Sequence, residues 1–235
     1  MKAKTLICAI GVAGFLCAPA VLAAQPAATG DRPVTGGLPA TIPIFPLEGA
    51  TLFPNASHPF RIFEPRYRAM VADALKGDRI IGMVMLQPGY EADYEGRPPI
   101  VPIGCAGLIT DYEELPDGRF NIVLGGLIKF RVTGEDDSRI YRLAHVEAMP
   151  EVLNEKDTIA LGDRRQELES LLLTLSDRLG VLQLPAGSPD EQVVDELSQY
   201  LPIDPLSRQR LLEQDGALAR AIALVEILEG LSNAP

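Results

Sequence analysis

Two histidines, His58 and His145, and one cysteine beyond the N-terminal run, Cys105, are the side chains here best suited to nucleophilic or acid–base work. Neither histidine has a cysteine, a second histidine or a paired acid at metal-ligand spacing, so no metal site is expected. His58 precedes Pro59 and reads as a loop residue, whereas His145 alternates with apolar neighbours and reads as a satisfied strand residue. Cys105 lies in Ile103-Gly104-Cys105-Ala106-Gly107, where a small buried apolar role outweighs reactivity. Beyond the first few residues the lysines are Lys76, Lys129 and Lys156, and none has a setting that suggests a catalytic base. No G-x-x-x-x-G-K-[ST] run occurs, so no phosphate loop is expected. Glu113-Glu114 and Glu135-Asp136-Asp137 fall in turns, as solvated charge rather than a cation site. The expectation is therefore no catalytic residue and no cofactor.

The elements that position these residues start with Thr41–Arg68. Ile42–Phe45 alternates like a strand. Pro43 and Pro46 each remove a ladder donor, which predicts an edge strand or the strand's own first residues. A loop through Pro54-Asn55-Ala56-Ser57 leads to a second strand, Pro59–Phe63. Glu64-Pro65 opens a helix, because a proline at the first helical position loses no hydrogen bond. Tyr67, Met70, Val71, Ala74 and Leu75 form its apolar stripe, and Gly77 stands where a left-handed residue would end it. Arg61, Glu64 and Arg66 suit an ion pair that locks loop to helix.

Further strands are predicted at Arg79–Leu86, a continuous apolar run buried on both faces, and at Ile100–Asp111. Leu115-Pro116-Asp117-Gly118 is a turn before the strand Arg119–Leu124. Gly125-Gly126 should bend the chain into Leu127–Val132, and Tyr141–Glu147 closes the β region. The composition then turns helical. Leu168, Leu171, Leu172, Leu175 and Leu179 share one face, ended by Gly180. Ser188-Pro189-Asp190-Glu191 reads as a capping box for a helix carrying Val193, Val194, Leu197 and Leu201. Asp204-Pro205 starts a short helix, and Asp215 caps one with Leu218, Ala221, Ile222, Val225 and Leu228 inward.

Several of these runs carry a family resemblance. Phe45-Pro46-Leu47, Leu52-Phe53-Pro54 and Arg61-Ile62-Phe63-Glu64-Pro65-Arg66-Tyr67 resemble the opening of the N-terminal substrate-binding domain of Lon proteases. The likeness continues at Gly82, Ile103-Gly104, Asp117-Gly118-Arg119-Phe120, Gly125-Gly126 with Lys129-Phe130-Arg131-Val132, Leu197–Pro202 and Arg208–Glu213, over about residues 41–231. Arg208 departs mildly, since such chains usually carry lysine there. The resemblance implies an α+β fold. Residues 41–150 would form a compact six-stranded, barrel-like sheet of the PUA-like type with one helix, and residues 155–231 a four-helix bundle. It also implies recognition of unfolded or degron-bearing polypeptide through an apolar groove or a free strand edge. Phe53, Phe60, Phe63, Tyr67, Met83 and Met85 are the candidate contacts, with core packing as the competing role for each. Phe53, in a loop, is the one expected to be most exposed. Full Lon proteases add an ATPase and a Ser-Lys protease, and neither motif occurs in these residues, so a peptidase label would rest on fold analogy alone. The competing function is an adaptor whose helices dock a partner protease or a second copy.

The net charge of −11, from 32 acidic and 21 basic residues, argues against a nucleic-acid partner. Lys2 and Lys4 precede an apolar run, Leu6–Val21, and Val21-Leu22-Ala23 suits signal-peptidase cleavage after residue 23 or 24. Residues 1–24 thus read as a signal peptide and 25–40 as a flexible linker, which places the protein in the periplasm or outside the cell. Once cleaved, it would keep no stable membrane span. Two other readings of this segment are an uncleaved membrane anchor and a start assigned too early, which would leave a cytoplasmic protein.

Overall fold

The computed structural model describes residues 37–89, 96–179 and 187–233. The predicted signal peptide, the linker as far as residue 36 and the helix end at Gly180 lie outside them. The β region holds β1 (Thr41–Leu47), β2 (Ser57–Ile62), β3 (Ile80–Met85), β4 (Ile103–Glu114), β5 (Phe120–Asp136) and β6 (Leu143–Met149), with α1 (Pro65–Lys76) after β2. The helical region holds α2 (Glu155–Thr174), α3 (Ser176–Leu179), α4 (Asp190–Tyr200), α5 (Pro205–Leu212) and α6 (Gly216–Asn233). The six strands run β2-β5-β4-β3-β1-β6, and a further β5–β6 pairing closes the last five into a ring. This is the expected α+β, barrel-like architecture.

β5 explains the closure. It is 17 residues long and contains both segments read as separate strands. Gly125-Gly126 does not end it. The register slips there, where Ala106 faces Ile128 but Gly107 faces Gly126. That irregularity bends one long strand, so its first half pairs with β2 and its second half with β6. Gly126 is required for a second reason: a Cβ there would overlap the Phe53 carbonyl.

β1 is not an edge strand. Its first half pairs with β6 through Thr41–Pro43, and its second half pairs in parallel with β3 from Ile44 to Leu47. The Ile44 N–H donates to the Arg142 carbonyl on the β6 side at 2.9 Å. Because backbone groups alternate sides along a strand, the nitrogen of Pro46 faces β6 beyond the end of that ladder. By the same alternation Pro43 faces β3 before its ladder begins. Each proline thus sits where no ladder donor is needed, and the strand stays interior.

Two clusters make the core. Ile42, Ile44, Ile80, Val84, Ala106, Phe130 and Ala144 form one. The other runs continuously from Phe45, Met83 and Cys105 through α1 into α2, α4, α5 and α6, so sheet and helices share it. β3 contributes to both, which is why its run Ile80–Met85 is buried at every residue. The turn at Leu115–Gly118 forms as expected, with Gly118 at φ 76°.

The helix boundaries differ in instructive ways. Pro65 opens α1 as predicted, but Gly77 has φ −113°, and the left-handed residue that redirects the chain is Arg79 at φ 59°. Asp204 caps α5 by accepting from the Ser207 N–H. The Ser188 capping box does not form; the N-cap of α4 is Pro189, without a side-chain bond, and the Ser188 carbonyl accepts from Arg165. In α6 the buried stripe is Ala217, Arg220, Ala221, Leu224, Val225 and Leu228, so Ile222, expected inside, is 45% exposed.

Candidate functional site

Most of the aromatic and methionine candidates are core. Phe53 is 0% exposed, and Tyr67, Met83 and Met85 are buried as well. For Phe53, read as the most exposed, this is a correction with a clear cause. Its loop is pinned beneath α4 by Gln199, which accepts from the Phe53 N–H at 3.2 Å and donates to the Thr51 carbonyl at 2.8 Å. The Arg220 guanidinium lies 5.4 Å from the centroid of the ring. Met83 and Met85 are sealed because β3 is covered on both faces. Tyr67 packs 4.5 Å from Phe45, with the Arg66 guanidinium 4.7 Å above its ring. Arg66 in turn pairs with Glu64 at 2.9 Å, the predicted ion pair of this turn, while Arg61 lies apart on β2.

Two candidates remain at the surface, one on β2 and one directly after it. Phe60 is half-buried and Phe63, just past the strand, is 63% exposed. The Phe60 ring continues a ladder of rings outward from the core. Phe45 stands 5.7 Å from Phe60, Phe60 4.7 Å from His58, and His58 6.4 Å from Tyr200, which is 49% exposed. His58 is therefore a strand residue rather than a loop residue, and burial, with Arg208 adding to it, lowers its pKa from the ordinary imidazole value.

Among the described residues β2 is also the one strand with a single neighbour. The Ala56 carbonyl accepts from Gly126 on β5, so alternation turns the backbone groups of Ser57, Pro59 and Arg61 outward. Pro59 offers no N–H there, and the Ser57 carbonyl accepts the Tyr200 hydroxyl. The edge is thus shortened at one end and blunted in the middle, but among the described residues the Arg61 backbone and the Pro59 carbonyl meet no partner on that side. Across the outer face of β2, β5 and β4 runs a shallow groove of about 410 Å³, lined by Pro59, Arg61, Asp111, Glu113, Asn121 and Val123. Open backbone and mixed charge therefore meet along β2, with Phe63 exposed just past its end, a combination suited to an extended chain.

A second concavity, of about 420 Å³, lies where sheet meets helices, and Asn55, Lys129 and Glu151 in its lining belong to a charged network that continues beneath it. Arg220, fully buried, bonds Asp195 and lies 2.6 Å from Glu151. Glu151 also pairs with Lys129 at 2.8 Å, and Asn55 donates to Asp195 at 2.9 Å. Burial pushes the Asp195 carboxyl up to about 7, against the pull of Arg220. Lys129 is committed here, donating also to the Gln214 carbonyl at 2.5 Å, and so is not a free amine. Reading the sequence missed this network. Its trace was there: Arg220 falls at helical spacing inside an apolar stripe, as does Asp195 beside Val193 and Val194.

No group of metal-ligating side chains lies together among the described residues. Cys105 is sealed, and burial raises its thiol well above the ordinary value. His145 accepts or donates at 2.9 Å with the Thr41 hydroxyl.

A family model described as the ATP-dependent protease La (LON) substrate-binding domain matches residues 41–230. Among curated relatives, the Lon protease of Cytophaga hutchinsonii is 23% identical over 81% of this chain and 24% of its own length. Lon protease 2 of Syntrophobacter fumaroxidans is 28% identical over 75% of this chain and 23% of its own. The chain thus spans about a quarter of the length of such relatives. In fold it is similar to the N-terminal domain of the Mycobacterium avium complex Lon protease, with TM-score 0.60 at 13% identity, covering 80% of this chain and 98% of that one. A Lon N-terminal domain protein from Xanthomonas campestris aligns with TM-score 0.54 at 23% identity, over 83% and 99%. With the family model covering nearly all of the described fold, this chain belongs to the Lon substrate-binding domain family.

Proposed function

We infer that the protein binds extended or unfolded polypeptide without catalysing a reaction on it, and that β2 is the element that does so. The observation that carries this reading is that Phe60 on β2, Phe63 just past it and a strand edge with no neighbour among the described residues lie together in a chain of this family. An incoming segment would add backbone hydrogen bonds at the Arg61 end of the edge and lay apolar side chains against Phe63. The test is incubation with a permanently unfolded protein, followed by light scattering and gel analysis. Suppressed aggregation with the client intact supports the reading, and cleavage of the client sinks it. Phe63→Ser should weaken client binding by about tenfold with little change in stability, because the ring is largely in solvent. Equal binding by this variant would move the site elsewhere.

The adaptor reading has its own support in Ile159, Leu173 and Ile222, which stand exposed on α2 and α6. Substituting them should leave client binding intact and change only association with a second chain.

Export is part of the proposal, on the strength of Lys2, Lys4 and the apolar run that follows. The purified protein should begin near Gln25 when its N-terminus is sequenced, and an intact Met1 would overturn the exported assignment.

A further inference from the structure

We propose that β2 reads a client segment of only about three residues, and that Tyr200 sets this limit by stopping an added strand short of Ser57. The proposal rests on the polypeptide-binding reading above and names the backbone groups that the client must supply.

The outward side of β2 is unequal along its length. Ser57, Pro59 and Arg61 turn their backbone groups away from β5. An added strand therefore meets three carbonyls in a row and, at Pro59, no donor. The Tyr200 hydroxyl donates to the first of these carbonyls, at Ser57. The phenol oxygen thus takes the place that a client nitrogen would occupy. Tyr200 is half-exposed, yet it is not a loose surface ring. It is the last residue of α4 and stands between two anchored neighbours. Gln199 bonds the Phe53 N–H and the Thr51 carbonyl, which holds the helix end over the β1–β2 loop. Leu201 is fully buried, and its carbonyl accepts from Arg208 at 2.8 Å.

Two carbonyls are left, those of Pro59 and Arg61, together with the Arg61 N–H. Among the described residues none of them has a partner on that side. Pro59 and Arg61 are two residues apart, about 7 Å along the strand. A client segment of about three residues spans them. Its first and third residues each donate a backbone N–H, one to each carbonyl, so neither can be proline. Phe63, exposed just past the strand, meets the client beyond the Arg61 end.

The full chain is titrated by calorimetry with a seven-residue peptide blocked at both ends. It is built of valine and threonine, with one phenylalanine to fix its register against Phe63. Each peptide amide is then N-methylated in turn, which removes its hydrogen. In the parent, two sensitive amides are expected, two residues apart, each costing about tenfold in affinity. Tyr200→Ala vacates the Ser57 carbonyl. A third sensitive amide is expected there, two residues further on, with about fivefold tighter binding of the unmodified peptide. Urea midpoints of both proteins check that the variant is folded, and the parent scan decides alone if it is not. Three sensitive amides already in the parent, or the same two in folded Tyr200→Ala, overturn the stop and leave peptide binding standing. No binding by either protein, or a loss spread evenly over every amide, overturns strand addition at β2 and the stop with it.

Discussion

Asp195→Ala is expected to lower the unfolding free energy by about 3–5 kcal/mol at neutral pH, measured by urea denaturation. The cause is Arg220, which is fully buried and bonds Asp195 and Glu151. Deleting one acid leaves Glu151 to serve both Arg220 and Lys129, so positive charge stays buried without enough compensation. The variant also strands the Asn55 amide, which donates to Asp195 and helps tie the β1–β2 loop to α4. Asp195→Leu combined with Arg220→Met should recover part of the loss, because removing both charges removes the desolvation cost with them. If the single variant is as stable as the parent, the network is not what joins sheet to helices.

The same residue gives a pH signature with a definite sign. Burial raises the folded carboxyl from 3.8 to about 7. Between those values the folded state holds a proton that the unfolded state has released. The Asp195 contribution is therefore fully present below about pH 4 and is lost as pH rises through 7. Asp195→Asn removes that slope, so stability differences between parent and variant should change across this window and be flat outside it.

What could be read from the sequence was mostly local. Pro65 and Asp204-Pro205 mark helix starts because a fixed φ or a side-chain acceptor acts within one turn. The turn at Leu115–Gly118 depends on four residues, and the apolar run of β3 reports burial on both faces directly. What escaped was set by partners distant in the chain. Pro43 and Pro46 argue for an edge only until it is known that β1 exchanges β6 for β3 between them. Gly125-Gly126 bends a strand rather than ending it, because β4 continues past the irregularity. The site followed the same division. Phe63 is exposed, as its candidate role required, but Phe53, Tyr67, Met83 and Met85 are held inside by elements far along the chain. The charged quartet was hidden because nothing local marks Arg220 and Asp195 as partners, though they pair between α6 and α4.

Phe53→Ala carries the second large expectation and separates core from contact. The ring is wholly buried beneath α4, and its backbone is bonded to Gln199. Truncation empties a large volume whose walls are fixed on several sides, and Gly126 of β5 packs against the Phe53 carbonyl with no room to follow a collapse. A loss of about 3–5 kcal/mol is expected, as a lower midpoint in urea with little change in slope. Client binding per folded molecule, measured well below that midpoint, should equal that of the parent. Phe63→Ser predicts the reverse, with stability kept and binding reduced. The pair thus forms a crossed test on two phenylalanines ten residues apart. Should Phe53→Ala lose binding while keeping its stability, the loop that bears it must open in solution, and the contact surface would have to be redrawn around Phe53 instead of β2.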